Sequence, residues 1–356
     1  MTTPKIGWME GFDTQHPLAH YLTDLTGTIQ NVADGRGGGR RLEARSASRG
    51  AAHGLDLGDA NAEVWAGFAG WVQSPGNSGN FGSVFHLFAN GVEDRAIVEI
   101  GRLRETGSTS DLTLYVRFDE SFGTAMLDTP ENREVRSATG ALVNSPAVSP
   151  WKLRIQRGEA VGRFTFWYEG SVLVDVDDVT QLAASAGPIT GVGFSNYMGP
   201  DSPSGWNWYD DVWAADQDLG DSRIVMMAPN AAGFHNDGTP SGAGANYEQL
   251  NHVPPSDAEH VTFAAVGDKD TYGWDDSELT GVSALRCAGI MLQPRFTGPS
   301  TIKGLARIGT TDHVLGDVSN ADAALATKRL IVAGNPATLD LWTAADLGAT
   351  EFGIEA

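Results

Sequence analysis

The sequence predicts an all-β protein of two domains, and three observations carry that expectation. Gly and Pro together make up 60 of 356 residues, about 17% against a usual ~12%, so the chain turns often and its elements are short. Apolar and polar residues alternate with period two over short windows, as half-buried strands require. Trp divides the chain: eight of the ten lie between Trp8 and Trp213, and only Trp274 and Trp342 follow. The length of 356 residues also exceeds the ~150 of a typical single domain.

The elements follow in order. EVWAGFAGWVQ (Glu63 to Gln73) places Trp65, Gly67, Ala69 and Trp71 on one strand face, and FGSVFHLFANG follows after the turn-rich SPGNSGN, as the second arm of a hairpin would. RAIVEIGR (95–102) and DLTLYVRFDE (111–120) are of strand length, the second alternating Leu112, Leu114, Val116 and Phe118 with polar residues. WKLRIQRG (151–158) and RFTFWYEGSVLVDVDD (163–178) continue the meander, with EGS as a turn. DDVTQLAASAG (177–187) is the one briefly helical stretch, with Asp at its start and Gly at its end. ITGVGFSN (189–196) and WNWYDDVWAAD (206–216) close the first part. The second part holds further short strand candidates, RCAGIMLQPRF, STIKGLARIG and KRLIVAGN.

An opening GFD (11–13), GRRLEAR, WAGFAGWV, the pair WKLRIQ and FTFWYEGSVLVDV, and ITGVGFSN leading into WYDDVWAAD together resemble the concanavalin A-like lectin, or laminin-G-like, jelly roll over residues 8–218. The order of segments carries the resemblance. It implies two face-to-face antiparallel sheets in residues 1–218. LGDSRIVMMAPN, NYEQLNHVPPSD and WTAADLGATEFGIE are similar to the C-terminal halves of tailed-phage virion proteins with a lectin-like front domain. That implies a second, smaller β-sandwich in residues 219–356. It also implies a structural or adhesive role on a tail fibre, spike or other appendage, with virion proteins and further copies of the chain as partners. A capsid decoration or head-tail attachment protein is the alternative, and a polysaccharide-degrading enzyme on the same fold another.

Charge bounds the function. With 45 acidic and 24 basic side chains the net charge is −21, which argues against nucleic acid as a partner. Up to Gly220 there are 28 acidic and 16 basic residues, net −12, and beyond it 17 and 8, net −9, so the acidity is global. No run approaches the ~20 apolar residues of a membrane span. MTTPKIGWMEG lacks the basic and apolar regions of a signal peptide, and Cys287 is alone, so synthesis in a reducing cytosol is expected, which fits the assembly in a bacterial cytoplasm and residence in the virion that the resemblance implies.

No catalytic set and no metal-binding set is expected. A glycosidase needs two spaced carboxylates, yet around Glu99 the alternate positions are Gly101 and Leu103. The pairs in DVDD (175–178) and at Asp210 and Asp211 read as strand ends. DKDTYGWDDSE (268–278) resembles a calcium loop but has Tyr272 at position five and its acid at eleven, so a surface turn is expected, with a loose calcium site as the alternative. Eight His residues form no zinc spacing. DGRGGGRR (34–41) lacks the ending of a phosphate loop and reads as a flexible basic turn able to meet an acidic neighbour. Cys287 reads as a small buried hydrophobe.

Aromatic residues are the remaining candidates. In WNWYDDVW, strict alternation puts Trp206, Trp208, Asp210 and Val212 on one side and Tyr209, Asp211 and Trp213 on the other. Indole faces both stack on sugar rings and fill cores. Trp206, Trp208 and Asp210 are therefore the candidate contacts to a host-surface carbohydrate, with packing inside the chain or against a partner subunit as the competing reading.

Overall fold

The computed structural model describes residues 5–11, 29–33, 36, 40–45, 48–53, 57, 62–72, 81–89, 96–104, 112–118, 133–142, 148–196, 206–252, 258–296, 300–320 and 328–356. They form two compact units that divide between Ile224 and Val225. The opening GFD lies largely outside the described residues, as does most of DGRGGGRR.

The first unit contains β1 (Ile6–Glu10), β2 (Ile29–Ala33), β3 (Arg40–Arg45), β4 (Ser48–His53), β5 (Glu63–Val72), β6 (Phe81–Ala89), β7 (Ala96–Arg104), β8 (Leu112–Phe118), β9 (Arg133–Arg136), β10 (Ser149–Arg157), β11 (Gly162–Tyr168), β12 (Ser171–Val179), β13 (Ile189–Asn196) and β14 (Trp206–Ala215). Two antiparallel sheets result. One has eight strands in the order β12-β11-β10-β5-β14-β3-β2, with β1 also on β14; the other has six, β4-β13-β6-β7-β8-β9. They pack face to face as a jelly-roll-like β-sandwich.

An aromatic core joins the sheets. Phe68 of β5 lies with ring centroids 5.3 Å from Phe85 of β6, 5.3 Å from Trp151 of β10 and 5.4 Å from Tyr209 of β14. Phe118 meets Phe164 edge to face at 5.4 Å, and Phe194 meets Tyr209 at 5.2 Å. The Tyr209 hydroxyl donates to the Val84 carbonyl at 2.6 Å, so this phenol crosses the core with its polar end satisfied.

Local readings are confirmed or corrected by pairing. The EGS turn joins β11 and β12, with Glu169 and Gly170 both at positive φ (50° and 78°), the requirement of a type I′ hairpin. The expected hairpin after Trp71 does not form, because β5 pairs in the larger sheet and β6 in the smaller one. The helical expectation over 177–187 is also corrected: Asp177 and Asp178 remain in β12, and two 3-10 turns, Thr180–Leu182 and Ala184–Ala186, lead to Gly187 at φ 82°.

The second unit contains β15 (Pro229–Asn236), β16 (Thr239–Pro240), β17 (Val261–Thr262), β18 (Lys269–Trp274), β19 (Ala288–Leu292), β20 (Ser300–Ile308), β21 (Thr311–Asn320), β22 (Lys328–Val332), α1 (Ala344–Gly348) and β23 (Thr350–Glu355). A five-stranded sheet, β15-β18-β23-β20-β21, carries a core of Ile290, Ala306, Trp342, Leu347 and Phe352 that the β19–β22 ribbon and α1 help to cover. Helix α1 begins at a capping box in which Thr343 accepts from the Asp346 N–H at 3.0 Å and Asp346 accepts back at 3.2 Å.

DKDTYGWDDSE is not a surface turn. Its centre is β18, and Asp270 is fully buried, accepting from Tyr272 Oη (2.8 Å), Asn246 Nδ2 (2.6 Å) and the Gly238 N–H (3.2 Å). Asp268 instead accepts from Ala264 and Ala265 N–H groups and Asp275 from that of Ser277, so the acids of the string serve separate turns and the interior. Cys287 is half-buried, and desolvation pushes its thiol up to about 12. Among the described residues no helix is long and apolar enough to cross a membrane.

On the polar side of this sheet, Asp312 accepts from Arg307 Nη1 (2.6 Å) and Lys269 Nζ (3.0 Å) and lies 2.8 Å from His235 Nε2. Burial opposes its charge, but these partners prevail and hold the carboxyl down at about 2. A folded-state value below the unfolded ~4 contributes stability above that pH, and the contribution is lost as pH falls from ~4 towards ~2. Asp312→Asn should therefore flatten the acid limb of the second unit's stability, measured by hydrogen exchange of β20 and β21 amides between pH 5 and 2; an unchanged limb contradicts this.

Candidate functional site

Register fixes which side chains share the outer face of the eight-stranded sheet. Leu153, Val64, Phe68, Leu42 and Tyr209 point into the core, so their neighbours point outward. Across the strands these form rows: Thr165–Arg154–Trp65, then Trp167–Lys152–Gly67–Trp213, then Pro150–Ala69–Asp210, then Trp71–Trp208–Glu43–Gln30, and finally Trp206–Arg45. Successive rows are ~6.8 Å apart, two residues along a strand. Six Trp residues thus stand on one sheet face, in two groups on either side of the low row at Ala69.

The groups share one composition. In the first, Trp65 and Trp167 stack at 5.4 Å and 18°, Lys152 Nζ lies 5.4 and 5.0 Å from their centroids, and Arg154 lies 5.1 Å from that of Trp65. Glu63 accepts from Trp65 Nε1 (2.6 Å) and, bidentately, from Arg154 (2.9 and 2.9 Å). In the second, Trp71 and Trp208 lie 4.0 Å apart, Arg41 is 3.6 Å from the Trp208 centroid and Arg45 is 5.3 Å from that of Trp206. Glu43 accepts from Trp208 Nε1 (2.8 Å), Arg45 Nε (2.8 Å) and Gln30 Nε2 (2.9 Å). Burial opposes the charge of Glu43 and Glu63, yet these donors hold both below the usual carboxylate range. Cations on indole faces fix the rings' orientation.

Between the groups the chain departs from alternation. Asp211 has φ 49°, and the β14–β5 register jumps from Asp210↔Ala69 to Trp213↔Gly67. The bulge brings Trp213 to the side of Trp206, Trp208 and Asp210, correcting the alternation expected from the sequence. Trp213 fills the space over Gly67, where a Cβ would stand 2.7 Å from the indole. β14 changes partner at the same point, from β3 along Trp206–Tyr209 to β1 along Val212–Ala215.

A strap, residues 216–224, returns over this face. Asp216 accepts from the Lys5 N–H (2.8 Å), Asp218 from Lys152 Nζ (2.6 Å) and Asp221 from Arg36 Nη1 and Nη2 (2.7 and 2.8 Å), while the Ile224 N–H donates to Asp211 Oδ1 (2.7 Å). Asp210 accepts from the Arg36 N–H at 2.5 Å. Residues 219–224, assigned by sequence to the second domain, are thereby tied to the first unit. Beneath the strap lies a pocket of about 130 Å³, lined by Ala69, Pro150, Lys152, Trp167, Asp211, Trp213 and residues 220–222 among others. That is roughly ten times the ~10–15 Å³ one water needs, room for a small ring.

Of the three residues singled out by sequence, Trp206 presents surface, with 42% exposure. Trp208 is half-buried, with the Trp71 ring 4.0 Å and the Arg41 guanidinium 3.6 Å from its ring centre. Asp210 is buried and braces Arg36 and the Asp211 N–H. The residues that shape the pocket, Lys152, Trp167, Trp213 and the strap, were not predicted as a site; alternation in WKLRIQ and FTFWY could have placed Lys152 and Trp167 outward.

The outer face of the six-stranded sheet holds a different cluster. His86, Glu99, Tyr115 and Arg117 are all buried there; Tyr115 Oη donates to Glu99 at 3.2 Å, and Arg117 Nε to Glu134 at 2.6 Å. The Tyr115 ring takes the place of a side chain at Gly101. Among the described residues no group of three or more His, Cys, Asp or Glu is arranged to hold a metal.

No protein-family model matches the chain, and no curated protein does. Among solved structures it is similar to the CBM2 module of the evolved Dit of Lactobacillus casei BL23 phage J-1, at 12% identity and a TM-score of 0.38 over 61% of this chain and 99% of that one. It is similar also to a legume lectin-like domain from Entamoeba histolytica (11%, TM-score 0.36, 57% and 92%) and to an endo-1,3-β-glucanase from Streptomyces sioyaensis (11%, TM-score 0.38, 60% and 97%).

Proposed function

We propose that the protein is a non-enzymatic, glycan-binding component of a tailed-phage particle, holding a host-surface polysaccharide on the outer face of its eight-stranded sheet. The observation that supports this is the pair of Trp groups flanking the Ala69 row, oriented by cations and by Glu43 and Glu63. Rigid aromatic faces beside a pocket with a few polar groups suit sugar rings, whose C–H faces pack on indoles while hydroxyls find donors and acceptors. The virion setting, with other virion proteins and further copies of the chain as partners, rests on the order in which the two sequence resemblances occur.

A non-catalytic reading suits the same residues. General acid catalysis of glycoside cleavage needs a carboxyl that keeps its proton near neutral pH. Glu43 and Glu63 are instead held ionised by Arg45 and Arg154.

Binding to purified bacterial surface polysaccharides by calorimetry tests the reading. Trp206→Ala and Trp167→Ala should each weaken binding by about tenfold, ~1.4 kcal/mol, without release of reducing sugar. Unchanged affinity in both variants, or cleavage of the polymer, contradicts it. Immunogold labelling of purified particles tests the virion setting, and an absence of label overturns it.

A further inference from the structure

The pocket beneath the strap combines an aromatic wall with charges that nearly cancel. Lys152 lines it, as do Asp211 and Asp221. Just outside, Arg36 grips Asp221 through both terminal nitrogens (2.7 and 2.8 Å) and reaches Asp211 Oδ2 at 3.4 Å. The lining charges together with Arg36 sum to zero, and Asp218 on Lys152 takes the local balance to −1. At the rim Asp218 accepts from Lys152 at 2.6 Å, which leaves no surplus positive charge for an anion. Asp211 has 2% side-chain exposure, so its field within the pocket is weakly screened.

The position of Arg36 is itself determined by the sheet. Its N–H donates to Asp210, its guanidinium to Asp211 and Asp221, so one residue spans both acids of the β14 bulge and the roof of the pocket. Without its charge, Asp211, Asp218 and Asp221 would face one lysine.

We propose that this pocket is a subsite for an uncharged sugar ring, and that Arg36 is the positioning residue that keeps it from favouring cationic sugars. This rests on the glycan-binding reading of the same sheet face. Trp167 and Trp213 supply the apolar walls; Lys152, Asp221 and Ser222 supply donors and acceptors for hydroxyls. A uronate would meet Asp211 and Asp221, and like-charge juxtaposition rejects it.

The test uses the full chain and three soluble probes of equal length: neutral hexose oligomers, oligouronates and glucosamine oligomers. Wild type should bind the neutral oligomers about tenfold more tightly than the oligouronates and at least as tightly as the glucosamine oligomers. Arg36→Gln should shift the ratio of glucosamine to neutral affinity about tenfold towards glucosamine. The double variant Arg36→Gln, Asp221→Asn should reverse that shift, which loss of a structural brace alone would not do. Arg163→Ala, which removes an exposed ion pair with Asp175 elsewhere on the sheet, should leave all three affinities unchanged. A wild-type preference for uronates, or the same ratio in Arg36→Gln, overturns the assignment while glycan binding stands. Failure to bind any of the three overturns both.

Discussion

Replacing Phe68 by alanine is expected to cost the first unit about 3–5 kcal/mol, the range for large-to-small changes at packed aromatic core sites. Phe68 is 4% exposed and touches rings from both sheets, Phe85 on one side and Trp151 and Tyr209 on its own. Truncation would leave a cavity where three core rings converge, and rings fixed by their strands cannot collapse into it. The loss is a large part of the ~5–15 kcal/mol that holds a domain folded. Denaturant unfolding followed by hydrogen exchange of β5 and β6 amides measures it. A loss below ~1 kcal/mol would mean that the sheets do not meet at this residue. Because Ala69, its neighbour, floors the pocket, glycan affinity should fall in the same variant.

The second large effect is expected at Asp270. Its carboxylate, fully buried, satisfies Tyr272 Oη, Asn246 Nδ2 and the Gly238 N–H, drawing the chain from 237 to 249 onto β18. Alanine leaves three donors without an acceptor, each costing ~1–3 kcal/mol when buried, so the second unit should lose about 3–5 kcal/mol once water reaches the more open of them. Asparagine keeps an acceptor oxygen but sets an amide against the Asn246 amide, so its cost should be smaller. Exchange of β18 and β23 amides should rise in both variants, while that of β5 and β14 stays as in wild type. Acceleration in both units alike would contradict the independence of their cores.

Much of this architecture can be read from short-range pattern, because alternation on a strand is decided by neighbours two residues away. EVWAGFAGWV shows its outward Trp65 and Trp71, and Gly170 announces the turn into β12. What depends on distant partners cannot be read so. Asp211 has no local mark that would move Trp213 to the other face; its conformation is held by Arg36 and by the Ile224 N–H. LGDSRI looks like the start of a new domain, yet its acid is spoken for by a residue 185 positions earlier in the chain. GRGGGRR looks like a flexible basic turn, while Arg36 within it is committed to three aspartates. In DKDTYGWDDSE five acids suggest exposure, and the one that is buried is satisfied by Asn246, 24 residues away. The candidate site was half visible for the same reason: its Trp residues follow the pleat, and the strap that roofs it does not.

On the proposed reading, carbohydrate lies on the outer face of the eight-stranded sheet. Oxidative footprinting of Trp in the full chain, read by mass spectrometry with and without a bound surface polysaccharide, tests it most directly. Protection should appear at Trp206 and Trp167, with Trp274 and Trp342 of the second unit unchanged. Protection confined to the second unit, or on the six-stranded sheet around Tyr115 with Trp206 and Trp167 as reactive as before, would contradict it.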